Sequence, residues 1–87
     1  MLAVTEAAGA HMAQMLSEAE APADVAIRFI LAGRGLTLRL DSPRPGDATF
    51  DHEGRTVLVL DEEVSKLLAD NTLDVQDAGE GPRLTLV

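Results

Sequence analysis

Apolar residues recur along this chain with two different periods, which predict helices and strands in separate segments. Over residues 5–20, Ala8, Met12 and Met15 repeat at the spacing of one helix face, so we expect a helix there. Residues 36–40 instead alternate strictly between leucine and a polar residue, which is typical of a strand with one buried face. The leucines of that strand are expected to point inward.

Further strands surround this one. Residues 25–31 are rich in β-branched and aromatic residues and predict a strand that forms a hairpin with residues 36–40. Residues 48–52 and 55–60 predict a second hairpin that turns at Glu53 and Gly54. Because residues 57–60 are all apolar, that strand is expected to be covered on both faces.

A second helix is predicted after Asp61, which is a suitable N-cap, with a stop at Asn71. Two more strands follow, at residues 73–75 and 82–87. The predicted fold class is therefore α+β, a single domain over residues 1–87 with two main helices and a mostly antiparallel sheet or sandwich. The predicted core is the set Met12, Leu16, Ile27, Phe29, Leu38, Leu40, Phe50, Val57, Val59, Val64, Leu67 and Leu68.

Charge and composition restrict the function. Fifteen acidic residues against seven basic ones give a net charge of −8, which would repel a phosphate backbone and an anionic membrane surface. We therefore expect neither nucleic acid nor a membrane as partner. No basic, apolar leader or membrane-length apolar run occurs, so a cytoplasmic location is expected. The sequence contains no cysteine, which removes thiolate metal ligands and a cysteine nucleophile.

Several short segments resemble the HesB/IscA-like family of A-type iron–sulfur cluster biogenesis proteins. The opening Val4-Thr5-Glu6-Ala7-Ala8 is similar to the start of that family, where a short strand meets the first helix. Leu73-Asp74-Val75 is similar to the strand after its second helix. The resemblance extends from about residue 2 to residue 75 and implies a HesB-like fold.

The departures from the family concern its cluster ligands. The family carries its first cysteine in a Gly-Cys-Ser-Gly-like loop, where this chain has Gly33-Arg34-Gly35. The C-terminal Cys-Gly-Cys segment has no counterpart before Val87. No cluster ligand of the family can therefore be assigned to a residue of this chain, and small, acidic, cysteine-free bacterial proteins of the same fold are what it resembles most.

Two groups of residues are candidate sites. His52, Glu53 and His11 come nearest to a metal site, since iron and zinc accept imidazole and carboxylate ligands, but a solvated hairpin tip also explains them and we predict no metal. The loop Gly33-Arg34-Gly35 would bind an anion through its amides, or serve only as a hairpin turn.

The remaining basic residues leave a further alternative open. Arg28, Arg39 and Arg44 would form a small basic face for an acidic partner, or pair with the many acidic residues.

We predict a non-catalytic protein without a cofactor that binds a protein partner or acts as an accessory protein. The alternative is a residual role in iron or iron–sulfur cluster handling that uses histidine, carboxylates or ligands from a partner. A small enzyme is a further rival, for which no nucleophile–base pair is found. The first hairpin and the strand at residues 82–87 leave sheet edges, so a weak homodimer or a partner strand is expected there.

Overall fold

A computed structural model of the chain describes residues 1–33, 35–77, 79 and 81–87, without the side chains of Leu31, Ala32 and Leu36. The elements follow the predicted order, and the short strand that the family resemblance implies before the first helix is present. They are β1 (Ala3–Val4), α1 (Glu6–Glu18), β2 (Ala26–Ala32), β3 (Gly35–Asp41), β4 (Ala48–His52), β5 (Arg55–Leu60), α2 (Glu62–Leu67), β6 (Thr72–Asp77) and β7 (Pro82–Leu86).

Among the described residues, the strands form two sheets rather than one. The larger sheet has the order β3-β2-β5-β4, and the smaller has the order β1-β6-β7. Three of the strand pairs are antiparallel, while β2 pairs with β5 and β1 pairs with β6 in parallel. The prediction of a mostly antiparallel α+β fold with two helices is confirmed.

The core lies where α1 packs against strands of both sheets. Met12 and Leu16 of α1 are fully buried, and they meet Ile27 and Leu58, which are in register across β2 and β5. Residues 57–60 of β5 are all buried, as their unbroken apolar run predicted.

Three predicted core residues are exposed. Leu38 and Leu40 retain 43% and 49% of their accessible surface, because β3 is the end strand of its sheet and only β2 pairs with it. The inward position predicted for the side chain of Leu36 lies outside the described residues. Leu67 is 58% exposed because α2 spans only six residues, and Val64 and Leu68 already occupy its buried side. Phe50 is half-buried rather than buried.

Both helices begin at an N-cap side chain, Thr5 for α1 and the predicted Asp61 for α2, and α1 ends two residues before the predicted bound at residue 20. The Oγ1 atom of Thr5 accepts a hydrogen bond from the N–H of Ala8 at 3.1 Å, and Asp61 caps α2 in the same way. The helix α1 ends before Pro22 in a Schellman motif, since Glu20 adopts a left-handed φ of 54° and the N–H of Ala21 donates to the carbonyl of Leu16.

Asn71 does not stop α2 in the left-handed conformation that was predicted for it. The helix ends at Leu67, and the N–H of Asn71 donates to the carbonyl of Leu68 in the turn that follows.

The longest helix is α1, with 13 residues, among the parts of the chain that the structure describes. No helix in those parts is long and apolar enough to span a membrane.

The two leucines Leu16 and Leu67 give a direct test of the packing. Leu16→Ala should lower the free energy of unfolding by about 2–5 kcal/mol, because it leaves a cavity in the core. Leu67→Ala, as the matched control on an exposed helix position, should change it by less than about 0.5 kcal/mol. Urea denaturation of both variants measures the difference, and equal losses would contradict the packing of α1 and α2 described above.

Candidate functional site

The three residues predicted to come nearest to a metal site do not form a group of three that could hold a metal ion. His52 and Glu53 lie at the β4–β5 turn, where the Nε2 atom of His52 is 4.0 Å from a carboxylate oxygen of Glu53. His11 lies on α1. Over residues 1–33, 35–77, 79 and 81–87, no group of three or more histidine, aspartate or glutamate side chains is arranged to hold a metal ion.

The predicted anion loop lies in the β2–β3 turn. Its flanking glycines, Gly33 and Gly35, are exposed, and Gly33 has a φ of 62°, which a glycine adopts without strain. Arg34, the residue on which the anion hypothesis depends, lies outside the described residues. Anion binding at this loop therefore stays a prediction.

A polar pocket of about 380 Å³ lies between the start of α1 and β4. His52 forms one wall, and its side chain is only 13% exposed because it packs against the backbone of α1 at Gly9. A β-carbon at position 9 would stand 2.9 Å from Nδ1 of His52. The glycine inside the helix is thus explained by the approach of an imidazole ring. Glu6, Asp51 and Thr49 also line this pocket.

A buried ion cluster lies on the opposite side of the large sheet from Ile27. Arg28 of β2 is 5% exposed, although it is charged. Its Nε atom donates to Asp41 at 3.0 Å, and its two terminal nitrogens donate to the carboxylate of Asp47 at 2.6 and 3.3 Å. Asp41 ends β3, and Asp47 closes the proline-containing loop, so one guanidinium group holds both in place.

Arg44 completes this cluster. Its side chain donates to Asp41 at 2.8 Å, and its backbone N–H donates to Asp47 at 2.8 Å. Arg28 and Arg44 therefore pair with acidic residues of their own chain, which favours the ion-pair alternative over a basic face for these two arginines.

The cluster keeps its members charged. The hydrogen bonds from Arg28 hold the pKa of Asp47 below its usual range, and the backbone N–H of Ser42, with the charges of Arg44 and Arg28, does the same for the pKa of Asp41. The pKa of Arg28 is raised, chiefly by its hydrogen bonds to Asp47. The sequence shows a single arginine within the apolar residues 26–32, which indicates a charge in a strand that is otherwise apolar. The sequence does not indicate which acidic residues pair with this arginine.

An open apolar cleft lies on the other face of the large sheet. One part, of about 200 Å³, is lined by Met15 and Ala19 of α1, Ile27 of β2, and Leu38, Arg39 and Leu40 of β3. A second part, of about 360 Å³, continues from Leu38 toward the small sheet and is lined by Phe29, Leu73, Leu84, Thr85 and Leu86. The two parts adjoin at Leu38, which lines both, and we call them together the β3 cleft.

The fold is shared with the solved structures of SufA and IscA. The crystal structure of Escherichia coli SufA, described as involved in biosynthesis of iron–sulfur clusters, is similar over 99% of this chain and 83% of SufA, with a TM-score of 0.71 and 24% identity. The crystal structure of IscA with a [2Fe–2S] cluster is similar over 100% of this chain and 84% of IscA, with a TM-score of 0.68 and 19% identity. No protein-family model matches the sequence, and a search of curated proteins gives no match.

These similarities confirm the HesB/IscA-like fold that the short sequence segments predicted. At these identities they establish the fold alone. Within that fold, this sequence contains no cysteine to hold a cluster.

The contact of Gly9 with His52 predicts opposite effects of one substitution in two backgrounds. Gly9→Ala should destabilise the chain that keeps His52, because the new methyl group displaces the imidazole ring. In a His52→Ala background the same substitution should stabilise it by about 1 kcal/mol, the usual gain of alanine over glycine inside a helix. A double-mutant cycle by urea denaturation measures the coupling, and an equal gain in both backgrounds would show that the ring does not pack there.

The ion cluster predicts a loss of stability in acid. Carboxylates whose pKa is lowered on folding stabilise the fold fully above the unfolded value of about 3.9, and this contribution disappears as the pH falls through their lower folded pKa values. Asp47→Asn, which cannot be ionised, should reduce stability by about 2 kcal/mol at pH 7.

The difference between the original chain and Asp47→Asn should then shrink as the pH is lowered from about 4 to about 2. Urea denaturation of the two proteins at each pH gives this difference directly. A difference that stays constant over this range would rule out an ionised Asp47 as the source of the stabilisation.

Proposed function

We propose that this protein is a non-catalytic accessory protein that binds a protein partner through the β3 cleft. The observation that carries the proposal is the exposure of Leu38 and Leu40, two leucines of a regular strand, on a cleft that extends across both sheets. Apolar side chains exposed side by side on a small acidic protein are typical of a protein-binding surface.

The composition supports the same proposal. A fold used elsewhere for iron–sulfur cluster work is kept here, while the thiolates that clusters require are missing from the sequence. The chain has the fold and an exposed apolar surface but no thiolate ligands. This combination suits recognition of another protein better than ligation of a cluster. The charge of −8 and the lack of a membrane-length helix in the described parts of the chain support a cytoplasmic partner other than a nucleic acid.

A role in iron or cluster handling is the second candidate. It is supported by the similarity to a structure that holds a [2Fe–2S] cluster, and by the pair of His52 and Glu53 at one turn. Two such ligands leave most positions of an iron centre open, so a partner would have to supply the others. This role therefore also requires a protein complex.

One experiment separates the two candidates. The tagged full chain is produced at natural abundance in its source organism, cross-linked partners are identified, and a complex is rebuilt from the purified proteins. We expect saturable binding of a defined partner, with far less than one iron per chain in both the free protein and the complex. Stoichiometric iron or a visible chromophore in the complex would favour the second candidate.

The control bait is Leu16→Asp, which places a charge in the core and removes the fold. A partner retained equally by this variant does not recognise the fold. If purified components form no complex at all, the proposed function is wrong.

A further inference from the structure

The outer edge of β3 has free backbone groups at the same residues whose side chains line the β3 cleft. Ala32 and Gly35 are the last paired residues of β2 and β3, and two residues of sequence separate them. In such a hairpin the closing pair exchanges hydrogen bonds and the next pair does not, so the alternation leaves Leu38 and Leu40 in non-hydrogen-bonded pairs with Phe29 and Ile27. Their N–H and C=O groups point away from β2, toward the open edge.

From this juxtaposition we propose that β3 and its cleft bind an extended, basic segment of a partner protein, which adds to the large sheet as a fifth strand beside β3. This inference rests on the proposed function and names the mode of binding and the chemistry of the partner. Main-chain bonds to Leu38 and Leu40 would provide the affinity of such strand addition, and pockets for alternate side chains would provide its selectivity.

The cleft determines the side-chain pattern of the segment. Neighbouring residues of paired strands share a face, so every second residue of an added strand would lie beside Leu38 and Leu40 over the cleft. Met15, Ala19 and Ile27 complete the apolar surface there. These positions of the segment should therefore be apolar, while the residues between them point to the opposite face of the sheet and should be polar.

The net charge indicates whether the segment that binds beside β3 comes from a second copy of this chain or from a different protein. Each copy carries −8, so two copies would repel each other. Four of the seven basic residues are already engaged within the chain: Arg28 and Arg44 with aspartates, Lys66 with Glu62, and Arg55 with backbone carbonyls. Glu18 and Glu20, which flank the cleft residue Ala19, are exposed at the end of α1, where the helix dipole also favours a cation. A basic segment fits this charge distribution.

The ion cluster fixes one end of β3 before a segment binds. Arg28 binds Asp41, the last residue of β3, from the face opposite the cleft. The edge strand is thereby fixed at the end that lies beyond Leu40, and little ordering of β3 is needed when a segment binds.

Binding is tested with the full chain and a labelled synthetic peptide that has valines at alternate positions, threonines between them and lysines at both ends. We expect saturable binding, about tenfold weaker for the same peptide with glutamates at its ends, and weakened by added salt. Amide hydrogen exchange measured by NMR should slow at Leu38 and Leu40, while Thr37 and Arg39, which already bond to β2, should change little.

The test variant carries both Leu38→Thr and Leu40→Thr, and the control variant carries Leu67→Thr, at an exposed leucine outside the cleft. The double variant should bind the peptide about tenfold more weakly, and the control should bind it as the original chain does. The original chain and both variants should unfold at similar urea concentrations. Absence of peptide binding, protection confined to other strands, or a stable homodimer closed by β3 in sedimentation would each overturn the proposal.

Failure here is distinguishable from failure of the proposed function. If a partner isolated from the source organism requires Leu38 and Leu40 for binding but does not slow amide exchange at these two residues, strand addition is wrong and partner binding through the cleft stands. If the partner both requires the two leucines and slows exchange there, both proposals are supported. If it binds the Leu38→Thr, Leu40→Thr protein as well as the original chain, the cleft is not its binding site and both proposals are wrong.

Discussion

The structure depends on one buried guanidinium group. Arg28 lies in the middle of an apolar strand, where an uncompensated charge would cost several kcal/mol. Asp47 neutralises it with two hydrogen bonds and Asp41 adds a third, so the strand tolerates the charge only when the loop after β3 closes over it. The loop conformation, the end of β3 and the solvent-facing side of the large sheet are therefore coupled through a single residue.

This coupling explains how the molecule keeps an exposed apolar edge and still folds to one structure. Leu38 and Leu40 gain little from burial, so packing alone would hold β3 weakly. The ion pair between Arg28 and Asp41 on the opposite face holds β3 against β2, because a charge-assisted hydrogen bond fixes the position of both side chains. The polar face of the large sheet thus holds β3 in place, and the apolar face of β3 remains exposed for a partner.

Periodicity predicted the elements of this fold well because each pattern was compatible with only one type of secondary structure. The bounds of β4 and β5 follow directly from the strand patterns on either side of Glu53 and Gly54, and both residues have the positive φ that a tight hairpin needs. The short family-like segments at Thr5 and Leu73 correctly indicated the HesB/IscA-like fold.

The errors in the predicted core have a common cause, which is that a periodic pattern shows which way a side chain points but not whether anything covers it. Leu38 and Leu40 do line the β3 cleft, yet they stay exposed because the cleft is open and β3 is the end strand of its sheet. Leu67 was placed on the buried side by spacing, but a six-residue helix has room for only one such pair. The partners of Arg28 depended on a loop whose course no periodicity predicts.

The way the small sheet is assembled has a consequence for biosynthesis. Its parallel pair joins β1 to β6, and the Thr5 hydroxyl donates to Asp74 across 69 residues of sequence. A ribosome must therefore release nearly the whole described chain before its first strand finds a neighbour. Until then the apolar residues of α1 that later pack against this sheet stay uncovered, and contacts so distant in sequence are slow to form. Nascent chains of this protein would consequently be at their most vulnerable to aggregation and proteolysis just before synthesis reaches β6.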